Sequence, residues 1–81
     1  MQADAKSQDG LSARQHFEAA VSLHGQGKLD EAERHYRAVL RLHGEHIGTL
    51  HRLALILVQS GRPAEAAEAY EKVLAAAPTT P

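Results

Sequence analysis

The 81-residue sequence contains no cysteine. That excludes a disulfide framework, a thiolate metal site and a cysteine nucleophile, and makes the chain indifferent to redox compartment. An excess of one charge is also missing: 9 Lys and Arg stand against 10 Asp and Glu, for a net charge of -1. No long-range field gathers polyanions, so nucleic acid is not expected as a partner. Long apolar runs are absent too. The longest, Leu53 to Val58, falls far short of the ~20 residues of a membrane helix, and the polar start Met1–Gly10 lacks the apolar stretch of a secretory signal. These absences predict a soluble, cytoplasmic protein that does not engage membranes. At this length it forms one small domain, whose core supplies only about 3–5 kcal/mol without staples.

What the chain does have is an internal repeat. At an offset of 34 residues Ala20 pairs with Ala54, Leu23 with Leu57, Gly27 with Gly61, Glu31 with Glu65, Ala32 with Ala66, Tyr36 with Tyr70, Val39 with Val73 and Leu40 with Leu74. Within each copy these positions recur at steps of three and four around one glycine, the spacing of one helix face interrupted by a turn. Each copy therefore reads as helix, turn, helix. The fold class is all-α, as two stacked antiparallel helical hairpins.

Local signals set the boundaries. Ser12 with Gln15 is a capping-box start for a first helix near 12–26, ended by Gly25 and Gly27 in left-handed geometry. Asp30, Glu31 and Glu33 crowd the start of a second helix, and Arg37, Arg41 and His43 its end, the order a helix dipole favours. This helix spans about 30–43 and stops at Gly44. A third, near 46–60, ends at Gly61, and Pro63 opens a fourth that reaches about Ala76, with Pro78 preventing continuation. The two-repeat domain covers 11–78, with repeat one about 13–46 and repeat two about 47–80. Met1–Gly10 is expected to be a disordered tail, because it mixes polar and small residues without period, and 79–81 is a second tail.

The run Gly27-Lys28-Leu29-Asp30-Glu31-Ala32 with Tyr36, Val39 and Leu40, repeated as Gly61-Arg62-Pro63-Ala64-Glu65-Ala66 with Tyr70, Val73 and Leu74 and closed by Pro78, resembles the tetratricopeptide repeat. The resemblance spans about residues 13–80. It departs in the first helices, where the family's tryptophan and leucine-glycine pair are replaced by His16 with Ala19-Ala20, and by Leu50 with Leu53-Ala54. It implies an α-solenoid fragment with a right-handed superhelical sense, and a module that holds peptides or partner proteins. Co-chaperone repeats of this family grip a C-terminal carboxylate through a lysine and two asparagines. Phe17, Val21 and Arg52 hold those places here, so that clamp is broken, although Arg14 and Arg52 remain able to pair with an acidic side chain.

Packing positions follow from side-chain size. Ala32 and Ala66 let the helices of a hairpin cross closely, while Tyr36 and Tyr70 fill the gap between hairpins as core residues whose hydroxyls reach the surface. The expected core is Leu23, Ala32, Tyr36, Val39, Leu40, Leu53, Ile56, Leu57, Ala66, Tyr70 and Val73. On the first helix Gln15, Ala19, Ser22 and Gln26 make a wettable face, whereas the counterpart Thr49, Leu53, Ile56 and Ser60 is largely apolar, so the N-terminal repeat is a natural solenoid end. The last helix instead presents Ala67, Leu74 and Ala76 where another repeat would stack. Either the chain belongs to a longer protein, or that face supports a weak homodimer.

By helical spacing the concave side carries Arg14, Phe17, Glu18, Val21 and His24 from the first helix, and His51, Arg52, Leu55, Val58 and Gln59 from the third. A protein or peptide partner is expected there, with Phe17 and Arg52 as principal contacts, because aromatic and arginine side chains anchor interfaces. The six histidines read as incidental surface residues: His43, His46 and His51 lie close in sequence but no carboxylate or cysteine completes a zinc spacing. No metal or cofactor is expected. Ser7, Ser12, Ser22 and Ser60 have no nucleophile-base partners, and no Gly-rich phosphate loop follows a strand, so the chain is not an enzyme. Beside groove binding stand a structural self-association unit and the N-terminal recruitment domain of a larger enzyme such as a transferase. A helical-repeat RNA binder is disfavoured by the near-neutral charge.

Overall fold

A computed structural model of the chain describes residues 10–76. Four helices follow one another, α1 (Ala13–Gly25), α2 (Leu29–His43), α3 (Ile47–Gln59) and α4 (Pro63–Ala76), and no strand occurs among the described residues. None of the helices is long and apolar enough to cross a membrane. The pairs α1/α2 and α3/α4 form hairpins, and α2 packs on α3 to stack them. The expected tails, apart from Gly10, and the chain beyond Ala76 lie outside the described residues.

The caps explain the boundaries. The Gln15 amide donates to Ser12 Oγ (3.1 Å) and the Ser12 amide to Gln15 Oε1 (2.9 Å), so both halves of the capping box form. Gly27 (φ 81°) and Gly61 (φ 78°) adopt the left-handed geometry at equivalent points of the two repeats. There the Lys28 amide bonds Leu23 O (2.9 Å) and the Arg62 amide Leu57 O (2.8 Å), the six-to-one closure of a helix end that favours glycine. Gly25 differs from expectation: it is the last helical residue of α1 and its φ is not positive, so Gly27 alone makes this turn. His46 caps α3, its Nδ1 accepting the Thr49 amide (3.2 Å).

Ala20, Ala32, Tyr36, Leu53, Ala54, Ile56, Leu57, Ala66 and Ala69 form the buried cluster. Small residues on both helices of each hairpin allow the close crossing. Of the expected core, Ala32, Tyr36, Val39, Leu53, Ile56, Leu57 and Ala66 are buried. Leu23, Leu40, Tyr70 and Val73 are only half-buried, and position explains it. Leu23 lies on the terminal helix, whereas its counterpart Leu57 sits between hairpins. Leu40 opens on a cavity of about 130 Å³ between α2, α3 and α4, and Tyr70 and Val73 belong to the last helix. Ala38, Leu50 and the polar His16 and Thr49 are buried as well.

An ion-pair network ties α2 to the start of α4. Glu33, with 12% of its side chain exposed, pairs with Arg37 Nε (2.9 Å) and Arg62 Nη1 (2.8 Å), and Arg62 Nη2 reaches Glu65 (2.7 Å). Arg37 thus serves the stack, and only Arg41 and His43 face the α2 dipole in its last turn. Burial pushes the Glu33 carboxyl up, but hydrogen bonds and charge from Arg62 and Arg37 outweigh it and hold the group below its ordinary value. Hydrogen bonding from Arg62 likewise lowers Glu65. A folded pKa below the unfolded one stabilises fully above the ordinary value of 4.5 and loses that stabilisation as pH falls through the folded value. The urea midpoint should therefore drop as pH is lowered below about 4.5, and Glu33→Gln should flatten that drop while costing about 1 kcal/mol at neutral pH.

Candidate interaction groove

The exposed faces of α1 and α3 lie side by side, and the 34-residue repeat puts equivalent positions opposite different neighbours. Phe17 is half-buried rather than free-standing. Its ring meets Tyr36 edge-on at 5.9 Å and His46 at 5.8 Å between centroids. From α3, the Arg52 guanidinium stands 5.7 Å from the Phe17 ring centroid, within cation–π range. About two turns further along, His24 Nε2 and Gln59 Oε1 are 2.8 Å apart, so the first and third helices are joined at two points along their shared face. Beneath them is Tyr36, in edge contact with both Phe17 and His24.

Tyr36 corrects the sequence reading of its hydroxyl. The residue is 0% exposed, and its oxygen makes no well-formed hydrogen bond among the described residues. Burial pushes the phenol up, and the nearby Arg52 guanidinium pulls the other way. The hydroxyl does not reach the surface, because α3 closes over it.

The remaining expected groove residues divide into two sets. Arg14 is exposed but pairs with Glu18 at 3.3 Å on its own helix, so its charge is already offset. An open cavity of about 480 Å³ is lined by Arg14, Phe17, Glu18, Val39, His43 and His46, together with Ala13. Val21 is half-buried, while Leu55 is exposed at the middle of α3. His51 turns away from Phe17 and lies 5.9 Å from the Tyr70 ring. Arg52 makes no ion pair among the described residues, in contrast to Arg14, Arg37 and Arg62.

The histidines are less incidental than the sequence suggests. His16 is 5% exposed, and its Nδ1 lies 2.9 Å from His35 Nδ1, a bond that needs one proton between two ring nitrogens. His24 bonds Gln59, and His46 caps α3 and stacks edge-on with His43. With His51 on Tyr70, the sequence neighbours His43, His46 and His51 do not converge, and no group of three or more metal-ligating side chains occurs among the described residues. The signal for His16 was present in the sequence, since it stands on the stripe of Ala20 and Leu23 at steps of four and three.

A family model described as tetratricopeptide repeat matches residues 11–79. No match was found among curated proteins or solved structures.

Proposed function

Because this chain belongs to the tetratricopeptide repeat family, whose members are in general protein–protein interaction modules, we propose that the α1/α3 face is its binding groove for a peptide or partner segment. The observation that carries this reading is Arg52 standing over the Phe17 ring beside the open cavity of about 480 Å³. The Phe17 ring joins the two: one face meets Arg52, which makes no ion pair among the described residues, and the ring also lines the recess, whose wall carries the Arg14–Glu18 pair. That recess favours a ligand pairing an acidic group with an apolar side chain, the charge giving orientation and the ring giving buried area. Val21 and Leu55 extend the apolar floor, while His24 and Gln59 supply polar contacts along the rim. Repeats of this family are typically non-catalytic, and the groove is assigned binding alone.

An array of short peptides of acidic, basic and apolar composition, followed by nuclear magnetic resonance titration of the 81-residue chain with the peptides that bind, tests the reading. Binders should combine acidic and apolar residues and shift the amides of Phe17, Val21, Arg52 and Leu55. Shifts confined to Arg41, Glu68 and Lys72 on α2 and α4 would overturn it.

A further inference from the structure

The third helix starts on an acceptor that a proton can remove. His46 is the N-cap of α3, its Nδ1 receiving the Thr49 amide at 3.2 Å and lying 2.8 Å from Thr49 Oγ1. An amide can only donate, so Nδ1 carries the lone pair and the neutral ring keeps its proton on Nε2. Thr49 is 0% exposed, so water does not stand in for the ring while the first turn is formed. The same ring does a second job. It meets Phe17 edge-on at 5.8 Å and lines the open cavity beside it.

An imidazolium has no acceptor, because its second proton goes to the nitrogen that the cap uses. Thr49 Oγ1 is able to accept from Nδ1–H at that point, but the Thr49 amide is left without a partner. The new positive charge also sits at a helix N-terminus, the end where the dipole disfavours it. Neighbouring charges do not reverse this. From α1, Arg14 and Glu18 line the cavity and offset each other as a pair at 3.3 Å. From α2, His43 meets the ring at 5.1 Å and adds a like charge when it is protonated too. No acidic residue lies in the first turn of α3, and its Arg52 stands over the Phe17 ring that His46 touches. None of the residues lining the cavity comes from α4. Glu45, next to His46 in the chain, favours the proton, but it is exposed and acts through solvent.

We propose that His46 is a proton-operated latch on the start of α3. Neutral, it caps the helix and walls the cavity beside Phe17; protonated, it lets the first turn fray and that wall loosen. The stabilisation is present while the ring is neutral and is lost as pH falls through the imidazole range. Any effect on ligand capture rests on the groove reading, whereas the latch itself does not.

The ligand-free 81-residue chain tests it in two ways. Ring-nitrogen magnetic resonance of the neutral protein should show His46 with a bare Nδ1 and its proton on Nε2, and the Thr49 amide signal should move as that ring titrates. Urea unfolding at about pH 7.5 and about pH 5.5, either side of the ordinary imidazole value of about 6.5, compares the wild type with His46→Ser, whose hydroxyl caps at both. Because His46→Ser loses the packing of the ring at either pH, the quantity read is the ratio of the two folding constants. Acidification should move that ratio about fivefold in favour of His46→Ser, the other histidines titrating alike in both proteins. His46→Ala, which offers no acceptor, should be less stable than His46→Ser at both values. A ratio that does not move with pH, or a neutral protein whose His46 carries its proton on Nδ1, would overturn the proposal. No peptide enters either measurement, so a failed groove titration leaves this result standing.

Discussion

Replacing Tyr36 with alanine should unfold most of the chain at ambient temperature. The side chain is fully buried where α1, α2 and α3 meet, and it supports Phe17 and His24 from below. Truncating a buried aromatic costs about 3 kcal/mol or more, and a two-hairpin core of this size holds only about 3–5 kcal/mol. The loss is therefore of the same order as the whole stability. Tyr36→Phe separates shape from polarity: because the hydroxyl makes no well-formed hydrogen bond among the described residues, removing it should change stability by less than about 0.5 kcal/mol. Tyr70→Ala should cost less than Tyr36→Ala, since Tyr70 is only half-buried. Urea unfolding followed by circular dichroism measures all three. A loss below about 1 kcal/mol for Tyr36→Ala would show that the ring is not the wedge between hairpins.

That contrast between equivalent tyrosines marks the limit of what the repeat discloses. Periodicity, the glycines of the two turns and Pro63 locate all four helices to within about a residue, because each of those signals is local. What a residue's neighbours do is not local. Tyr36 and Tyr70 are indistinguishable in the repeat, yet α3 closes over the first alone. Leu23 and Leu57 likewise share a position and differ in burial, because one helix is terminal and the other internal. The cap of α3 was hidden for another reason: histidine is not among the usual capping residues, so His46 gave no start signal although its ring accepts the Thr49 amide. The meeting of His16 with His35 depends on how α1 crosses α2, which spacing along either helix does not fix. In the groove, sequence placed Phe17 and Arg52 on one face but not in contact with each other, and it left the carboxylate partner of Arg14 out of account.

The contact between those two side chains makes the last prediction a coupled one. With a peptide that binds the groove, Phe17→Ala combined with Arg52→Glu should lower affinity by more than about tenfold, or about 1.4 kcal/mol. Arg52→Glu alone reverses the charge of an exposed residue outside the core, so it should leave folding largely intact and shift preference from acidic peptides toward basic ones. Phe17→Ala alone removes a half-buried ring packed on Tyr36 and His46, so its binding loss must be read on protein shown by circular dichroism to be folded. Because Arg52 stands over that ring, either single change disturbs the other residue's position, and the two losses should not add. Calorimetric titration of the wild type, both single variants and the double variant closes the cycle. Losses that add would mean that the two side chains act as separate contacts rather than as one recess, and unchanged affinity in the double variant would place the ligand somewhere other than between α1 and α3.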